Sequence, residues 1–193
     1  MKYVKLSALI FTVFISNTAT AQQFRTFQSK AYGYNFAMPK EYRLMGDTLK
    51  PNYQDLNFAN GAKVNVRVTA VFTDTYDSAT YVNALSKLAA LKPAEWDVKL
   101  QTTYAGAKFK SFMRVKVSKH PGYRVNFETG KDKATVTHYI VNVYAKYYAY
   151  SLHMAHTDKA LPAAMAKDAA DFTHFLDYFS ISKPTKITSQ KAF

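Results

Sequence analysis

The fold is decided by residues 108–154, which read KFKSFMRVKVSKHPGYRVNFETGKDKATVTHYIVNVYAKYYAYSLHM. Apolar and polar side chains alternate along most of this stretch, as they do in β-strands with one buried face. Turn-forming residues interrupt the alternation at 120–122 and again at 129–132. From residue 134 onwards a single strand would be about 70 Å long, far longer than usual, so we expect the chain to fold back near Ala145-Lys146. The stretch therefore predicts four successive antiparallel strands.

The rest of the chain supplies a hairpin and two helices that can pack against these strands. Asn60-Gly61 lies between two strand-like runs and is the strongest short hairpin signal in the sequence. A first helix is predicted before Pro93, with Tyr81, Leu85 and Leu88 on its apolar face. A second helix begins near Pro162, and its apolar stripe consists of Leu161, Met165, Ala169, Phe172, Leu176 and Phe179. These elements predict one α+β domain over residues 22–182, an antiparallel β-sheet with helices packed on it, and a polar, basic tail over 183–193.

Residues 1–21 have the three parts of a secretory signal peptide. Lys2 and Lys5 form a positive start, residues 6–15 are apolar, and residues 19–21 are a small-x-small cleavage site. The apolar run has about ten residues, against roughly 20 for a membrane-spanning helix, so we expect no span in the mature chain. The sequence contains no cysteine, which excludes disulfides and a lipid-modified cysteine. We therefore expect an exported protein, either periplasmic or secreted, that is cleaved after Ala21.

The chain is strongly basic, with a formal net charge of +13. This charge favours anionic partners, and for an exported protein an anionic envelope polymer or an acidic protein is a better match than a nucleic acid. Cationic side chains fall on the polar side of the predicted strands, together with an aromatic ring on which a base or sugar could stack. This candidate basic face consists of Arg67, Lys108, Lys110, Phe112, Arg114, Lys116 and Arg124. The alternative is a solvated sheet face whose lysines protect an edge strand.

No catalytic signature is present in the sequence. It has no cysteine nucleophile, Gly-x-Ser-x-Gly motif, glycine-rich phosphate loop or His-Glu-x-x-His motif, and it implies no cofactor and no metal site. His153 and His156 form a His-x-x-His, but residues three apart on a strand point to opposite faces and would not share one ion. The sequence therefore favours a non-catalytic binding or assembly module. The alternative is a small hydrolase or metal-binding protein that uses His153, His156 or His174.

The order of the predicted elements resembles that of the PsbP-like family, which includes exported bacterial members. An opening strand is followed by a hairpin, a helix, a four-strand meander and a closing helix that ends in a phenylalanine-rich segment. The pieces YNFAMP at 34–39 and YYAYSL at 147–152 also carry the resemblance. What the resemblance implies is an α/β/α sandwich and a non-enzymatic binding or assembly role. No functional residue of the family is matched at a position of this chain.

Overall fold

The computed structural model describes residues 23–50, 52–61, 64–73, 77–130, 135–146, 148–157 and 162–185. The predicted signal peptide, 1–21, and most of the predicted tail, 186–193, lie outside the described residues. Within these ranges, no helix is both long and apolar enough to cross a membrane.

Ten strands and three helices follow one another along the described part of the chain. The strands are β1 (Phe24–Ser29), β2 (Tyr34–Pro39), β3 (Arg43–Lys50), β4 (Tyr53–Asn60), β5 (Val64–Phe72), β6 (Lys108–Val117), β7 (His120–Thr129), β8 (Val136–Tyr144), β9 (Tyr148–His156) and β10 (Ser180–Ile181). The helices are α1 (Ser78–Ala90), α2 (Pro93–Gln101) and α3 (Pro162–Asp177).

Seven strands form one antiparallel sheet in the order β3-β4-β5-β9-β8-β7-β6. The four strands predicted from residues 108–154 are β6 to β9, and they pair as successive neighbours. The predicted hairpin is formed by β4 and β5, which pair from Tyr53 opposite Val71 to Asn60 opposite Val64. Strand β5 then pairs with β9 along its whole length. The large sheet is therefore a three-strand meander joined to a four-strand meander.

One of the predicted turns lies where it was expected and another is displaced. Between β8 and β9, Ala145 and Tyr148 exchange backbone hydrogen bonds of 3.0 and 3.2 Å. The turn between β6 and β7 lies at Ser118-Lys119, both with positive φ, and not at 120–122 as predicted. Pro121 is tolerated inside β7 because pairing with β8 begins only at Gly122. Its missing N–H is therefore not needed for a second ladder.

Helices α1 and α2 lie on one face of the large sheet. Pro93 begins the second of these helices, and Trp96 lies within it. The first turn is stabilised by a 2.6 Å hydrogen bond from the backbone N–H of Lys92 to the Glu95 carboxylate. Trp96 is buried and belongs to a core cluster with Leu100, Ala107, Val125, Phe127 and Ile140. Trp96 therefore anchors α2 in the core on this side of the sheet.

The other face of the large sheet is covered by the small sheet β1-β2-β10 and by α3. The core on this side is rich in aromatic rings, among which Phe36 of β2 lies 5.0 Å from Phe175 and 5.7 Å from Phe58. In the predicted stripe of α3, Phe172 and Phe179 are buried and Leu176 is partly buried, whereas Leu161 lies outside the described residues. The α+β fold, with a large antiparallel sheet between two outer layers, is confirmed.

Candidate binding surface

Strand β6 is an edge of the large sheet and carries four of the predicted basic residues. Its pairing with β7 shifts between Phe109 and Ser111, so Lys110 is the extra residue of a β-bulge. Before the bulge Lys108 lies opposite Glu128, and after it Arg114 lies opposite Tyr123. Residues 123 and 128 are an odd number of positions apart on β7, so they point to opposite faces of the sheet. The prediction that all these cations share one face is therefore wrong, because the bulge reverses the alternation.

The four cations of β6 share the sheet edge instead of a face. All four are exposed. Lys110 lies 2.8 Å from Glu128 and Lys108 lies 3.6 Å from Asp97, while Arg114 donates a 3.1 Å hydrogen bond to the Ser86 hydroxyl of α1. Exposed pairs of this kind contribute only about 0–1 kcal/mol, so they leave the cations available to a stronger anionic partner. We call Lys108, Lys110, Arg114 and Lys116 the β6 basic edge.

The other predicted basic-face residues lie elsewhere. Arg67 is on β5, four places from β6 in the strand order, and holds both carboxylate oxygens of Asp55 at 2.7 and 2.6 Å. Burial raises the pKa of Asp55, but the hydrogen bonds and charge of Arg67 outweigh this and hold it below its ordinary value. Arg124 lies opposite Met113, on the face of the sheet opposite to Arg114. Its guanidinium is 5.1 Å from the centre of the Tyr139 ring.

Phe112 is partly buried and packs against the core cluster beneath the helices, so its ring is not an open platform for a ligand. Its ring lies 5.3 Å from Trp96 and 5.8 Å from Tyr123, beneath α2. Both neighbours occupy the space that a stacked base or sugar would need. Of the seven residues of the candidate basic face, the structure therefore brings together the four cations of the β6 basic edge and separates Arg67 and Arg124 from them. Phe112 lies on the same strand, but its ring packs against Trp96 and Tyr123.

The structure also forms a histidine pair that the sequence analysis did not identify. His138 Nδ1 lies 3.0 Å from His153 Nε2, and His138 Nε2 lies 2.9 Å from the Thr129 hydroxyl. The Tyr104 ring packs over both imidazoles, at 5.5 and 5.9 Å. The two histidines are diagonal neighbours on adjacent strands, because Ile140 lies directly opposite His153. Their proximity depends on the register between β8 and β9, which a single sequence does not show.

The three histidines of the alternative function do not form one site. His153 pairs with His138 on the helix-covered face, while His156 is three residues further along β9 and points to the opposite face. His174 packs against Phe24 and Tyr178, each with its ring centre 4.5 Å away. Among the described residues, no group of three histidine or acidic side chains has the arrangement of a metal site.

The histidine pair should make stability depend on pH. The pKa of His138 and that of His153 are both lowered to about 4, mainly by burial, and for His153 also by the charges of His138 and Arg67. An unfolded histidine has a pKa of about 6.5, so the unfolded state binds protons first as pH falls from about 6.5 to 4. We expect the free energy of unfolding to decrease by on the order of 3 kcal/mol between pH 7 and 4.5, measured by urea unfolding.

The double variant His138→Gln with His153→Gln is the control for this dependence. In this variant the free energy of unfolding should decrease much less between pH 7 and 4.5. A small decrease should remain, because burial also lowers the pKa of His120. An equally steep decrease in the double variant would show that other groups cause it.

The comparisons with known proteins bear on the fold. No family model matches the chain, and no curated protein is similar to it. The solution structure of cyanobacterial PsbP from Synechocystis sp. PCC 6803 covers 86% of this chain and 95% of its own, with a TM-score of 0.58 and 10% identity. LpqN of Mycobacterium tuberculosis, a protein involved in cell envelope biogenesis, covers 84% of this chain and 92% of its own, with a TM-score of 0.51 and 10% identity.

A crystal structure from Bacteroides thetaiotaomicron also has a similar fold, with a TM-score of 0.51 and 12% identity. The alignment covers 84% of this chain and 50% of the Bacteroides chain, so this chain spans about half of its length. At such low identities the similarity concerns the fold alone. The resemblance seen in the sequence is confirmed at that level: this chain has the PsbP-like fold.

Proposed function

We propose that the chain is an exported, non-catalytic binding or assembly module that holds an anionic partner along the β6 basic edge. The observation that carries this proposal is the concentration of Lys108, Lys110, Arg114 and Lys116 on one edge strand of a protein with a net charge of +13. Charges clustered in this way attract a polyanion within a Debye length, about 8 Å at physiological salt.

The geometry of the edge favours an extended partner. From Lys108 to Lys116 the strand rises by about 25 Å, at about 3.3 Å per residue. Side chains before and after the bulge start on opposite faces of the sheet, so a ligand lying on either face would meet only some of them. A chain that runs along the edge can contact all four. An anionic envelope polymer fits this requirement better than a compact acidic protein.

The predicted signal peptide supports an extracytoplasmic location for such a partner. The fold is similar to that of LpqN, whose role in cell envelope biogenesis is compatible with the same location. The proposal needs no cofactor and no metal, and nucleic acid does not fit the compartment.

The test is charge reversal on the edge. Arg114→Glu with Lys116→Glu is the preferred double variant, because Lys110 faces Glu128 and its reversal would add repulsion within the fold. We expect the affinity for a heparin matrix at low salt to fall at least about fourfold, since each exposed charge pair contributes about 0.2–1 kcal/mol and the reversal of two cations replaces attraction with repulsion at both. A poly-glutamate matrix serves as the protein-like anion for comparison.

The matched control is Lys30→Glu with Lys40→Glu, which changes the net charge equally at exposed turn positions away from β6. It should weaken retention much less. Equal weakening by the two double variants, at unchanged melting temperatures, would mean that net charge alone causes retention. Stronger retention on poly-glutamate than on heparin would instead favour an acidic protein as the partner.

A further inference from the structure

A large groove lies between α1, α2 and the sheet face that they cover, and it is separate from the β6 basic edge. Its volume is about 800 Å³, within the size range of small-molecule sites. The apolar part of its lining consists of Tyr81, Leu88, Leu91, Val98, Tyr123 and Tyr144. The rings of Tyr81 and Tyr144 are in contact, 4.1 Å apart, and join the wall from α1 to the floor from β8. The groove is thus built to hold an apolar body.

A smaller cavity of about 290 Å³ continues the groove on the polar side. Tyr123 and Lys99 line both spaces, so the two meet at these residues. The smaller cavity adds hydrogen-bonding groups from the sheet, Asn142 and Ser151, and from the end of α2, Thr102 and Thr103. The whole groove is therefore mainly apolar at one end, and at the other end it has hydrogen-bonding groups beside the apolar Leu100, Val125 and Ile140.

The charges around the groove favour an anion. Two carboxylates line it, but both stabilise helix N-termini: Asp77 accepts hydrogen bonds from the backbone N–H groups of Ala79 and Thr80, and Glu95 accepts one from Lys92. Two lysines, Lys87 and Lys99, also line it. The formal charges of these four groups cancel within the groove itself, but among the described residues that line the smaller cavity Lys99 is the only charged one. An anionic group at that end can therefore pair with Lys99, where the two spaces meet.

We infer that this groove binds a small amphipathic anion. Its aliphatic or aromatic body lies against the tyrosine and leucine side chains between α1 and the sheet, and its anionic group pairs with Lys99 beside Asn142 and Ser151. Such a ligand contacts the apolar lining, the polar end and the lysine at their junction at the same time. A neutral amphiphile would form no ion pair with Lys99, and a hydrophilic anion would leave the apolar wall in water.

The experiment uses decyl phosphate as the probe and decyl maltoside as its neutral counterpart, both below their critical micelle concentrations. Trp96 is the single tryptophan of the chain and lines the polar cavity, so its fluorescence reports binding directly. Calorimetry gives the affinities independently. We expect decyl phosphate to bind at least about tenfold more tightly than decyl maltoside, because hydrogen bonds to a charged group contribute about 1.5–3 kcal/mol.

Two variants test the two ends of the groove. Ala84→Phe places a ring in the apolar part, with Val82→Phe as its control, because Val82 is exposed on the same helix and does not line the groove. Lys99→Glu removes the cation, with Lys30→Glu as the control of equal charge. We expect Ala84→Phe to weaken both probes and Lys99→Glu to weaken decyl phosphate alone, each by at least about tenfold relative to its control.

Several results would overturn the inference. One is that the wild-type chain does not bind decyl phosphate. Another is that Ala84→Phe and Val82→Phe bind the two probes with equal affinities. A third is that Lys99→Glu and Lys30→Glu bind decyl phosphate with equal affinities. Binding of an amphipathic peptide without binding of decyl phosphate would also overturn it, and would mark the groove as a protein-docking site. Because Lys99 is exposed, its variant remains informative even if a ring at position 84 prevents folding.

Discussion

Replacing Phe172 with alanine should lower the free energy of unfolding by about 3–5 kcal/mol, the usual range for a large aromatic residue truncated in a packed core. Phe172 is only 2% exposed, and its ring lies 5.9 Å from that of Phe175 and 6.4 Å from that of Tyr139. Truncation therefore leaves a cavity between α3 and the large sheet. Urea unfolding of the two proteins measures the difference.

Thr173→Ala is the matched control on the same helix. Thr173 is exposed, and its hydroxyl donates only to the backbone carbonyl of Ala169 in the preceding turn. We expect this change to stay within about 0.5 kcal/mol, as surface substitutions usually do. If Phe172→Ala cost less than about 1 kcal/mol, well below the range for core aromatics, α3 would not be docked on the sheet.

Gly33→Ala should destabilise the protein by about 2–5 kcal/mol. Gly33 has a φ of +67°, and the left-handed conformation costs an L-residue roughly 1–2 kcal/mol. A Cβ at this position would also lie 2.4 Å from the carbonyl oxygen of Ser182 and 2.8 Å from the nitrogen of Pro184. Relieving this overlap should cost about 1–3 kcal/mol more, because both neighbouring atoms belong to the backbone.

Gly61→Ala separates the two contributions. Gly61 has nearly the same φ, +61°, but a Cβ there would meet nothing within 4 Å. It should therefore lose only the roughly 1–2 kcal/mol of the left-handed conformation. Thermal unfolding of both variants tests whether the segment after β10 is held against the turn before β2, where Ser182 donates a 2.8 Å hydrogen bond to Gly33. Equal losses of stability in the two variants would mean that this segment is not held against the turn.

The sequence was most informative where one face of an element is buried over its whole length. The apolar pattern of residues 134–154 predicted β8 and β9 and their fold-back, because every second side chain of β9 is buried and β8 is covered on both faces. The spacing of Phe172, Leu176 and Phe179 predicted the buried side of α3 for the same reason. Phe175 was missed, although it is fully buried, because the stripe is wider than one residue per turn.

Strand β3 leaves little signal in the sequence. Its eight residues are exposed, so no core imposes an alternating pattern on them. Strand β1 also has only partly buried side chains, and the sequence analysis did not predict it. Such strands are defined by backbone pairing with a neighbour, here β4 and β2, and that pairing is not visible in a single sequence.

The candidate site shows how one residue can change a prediction. A regular strand over residues 108–117 would carry all four cations of β6 on a single face. Polar Lys110-Ser111 and apolar Phe112-Met113 both interrupt strict alternation, and together they are the signal of the bulge. Recognising this signal would have put Phe112 in the core and the cations along an edge. The binding role of the cations stays a prediction.

The β6 basic edge is most directly tested by amide hydrogen exchange with and without a short heparin chain at low salt. We predict slower exchange in residues 108–117 when heparin is present, no change in β3 at the opposite edge of the same sheet, and loss of the protection at high salt, where exposed charges are screened. Heparin binding accompanied by protection of β3, or by no protection of residues 108–117, would contradict the proposal that this edge holds an anionic partner.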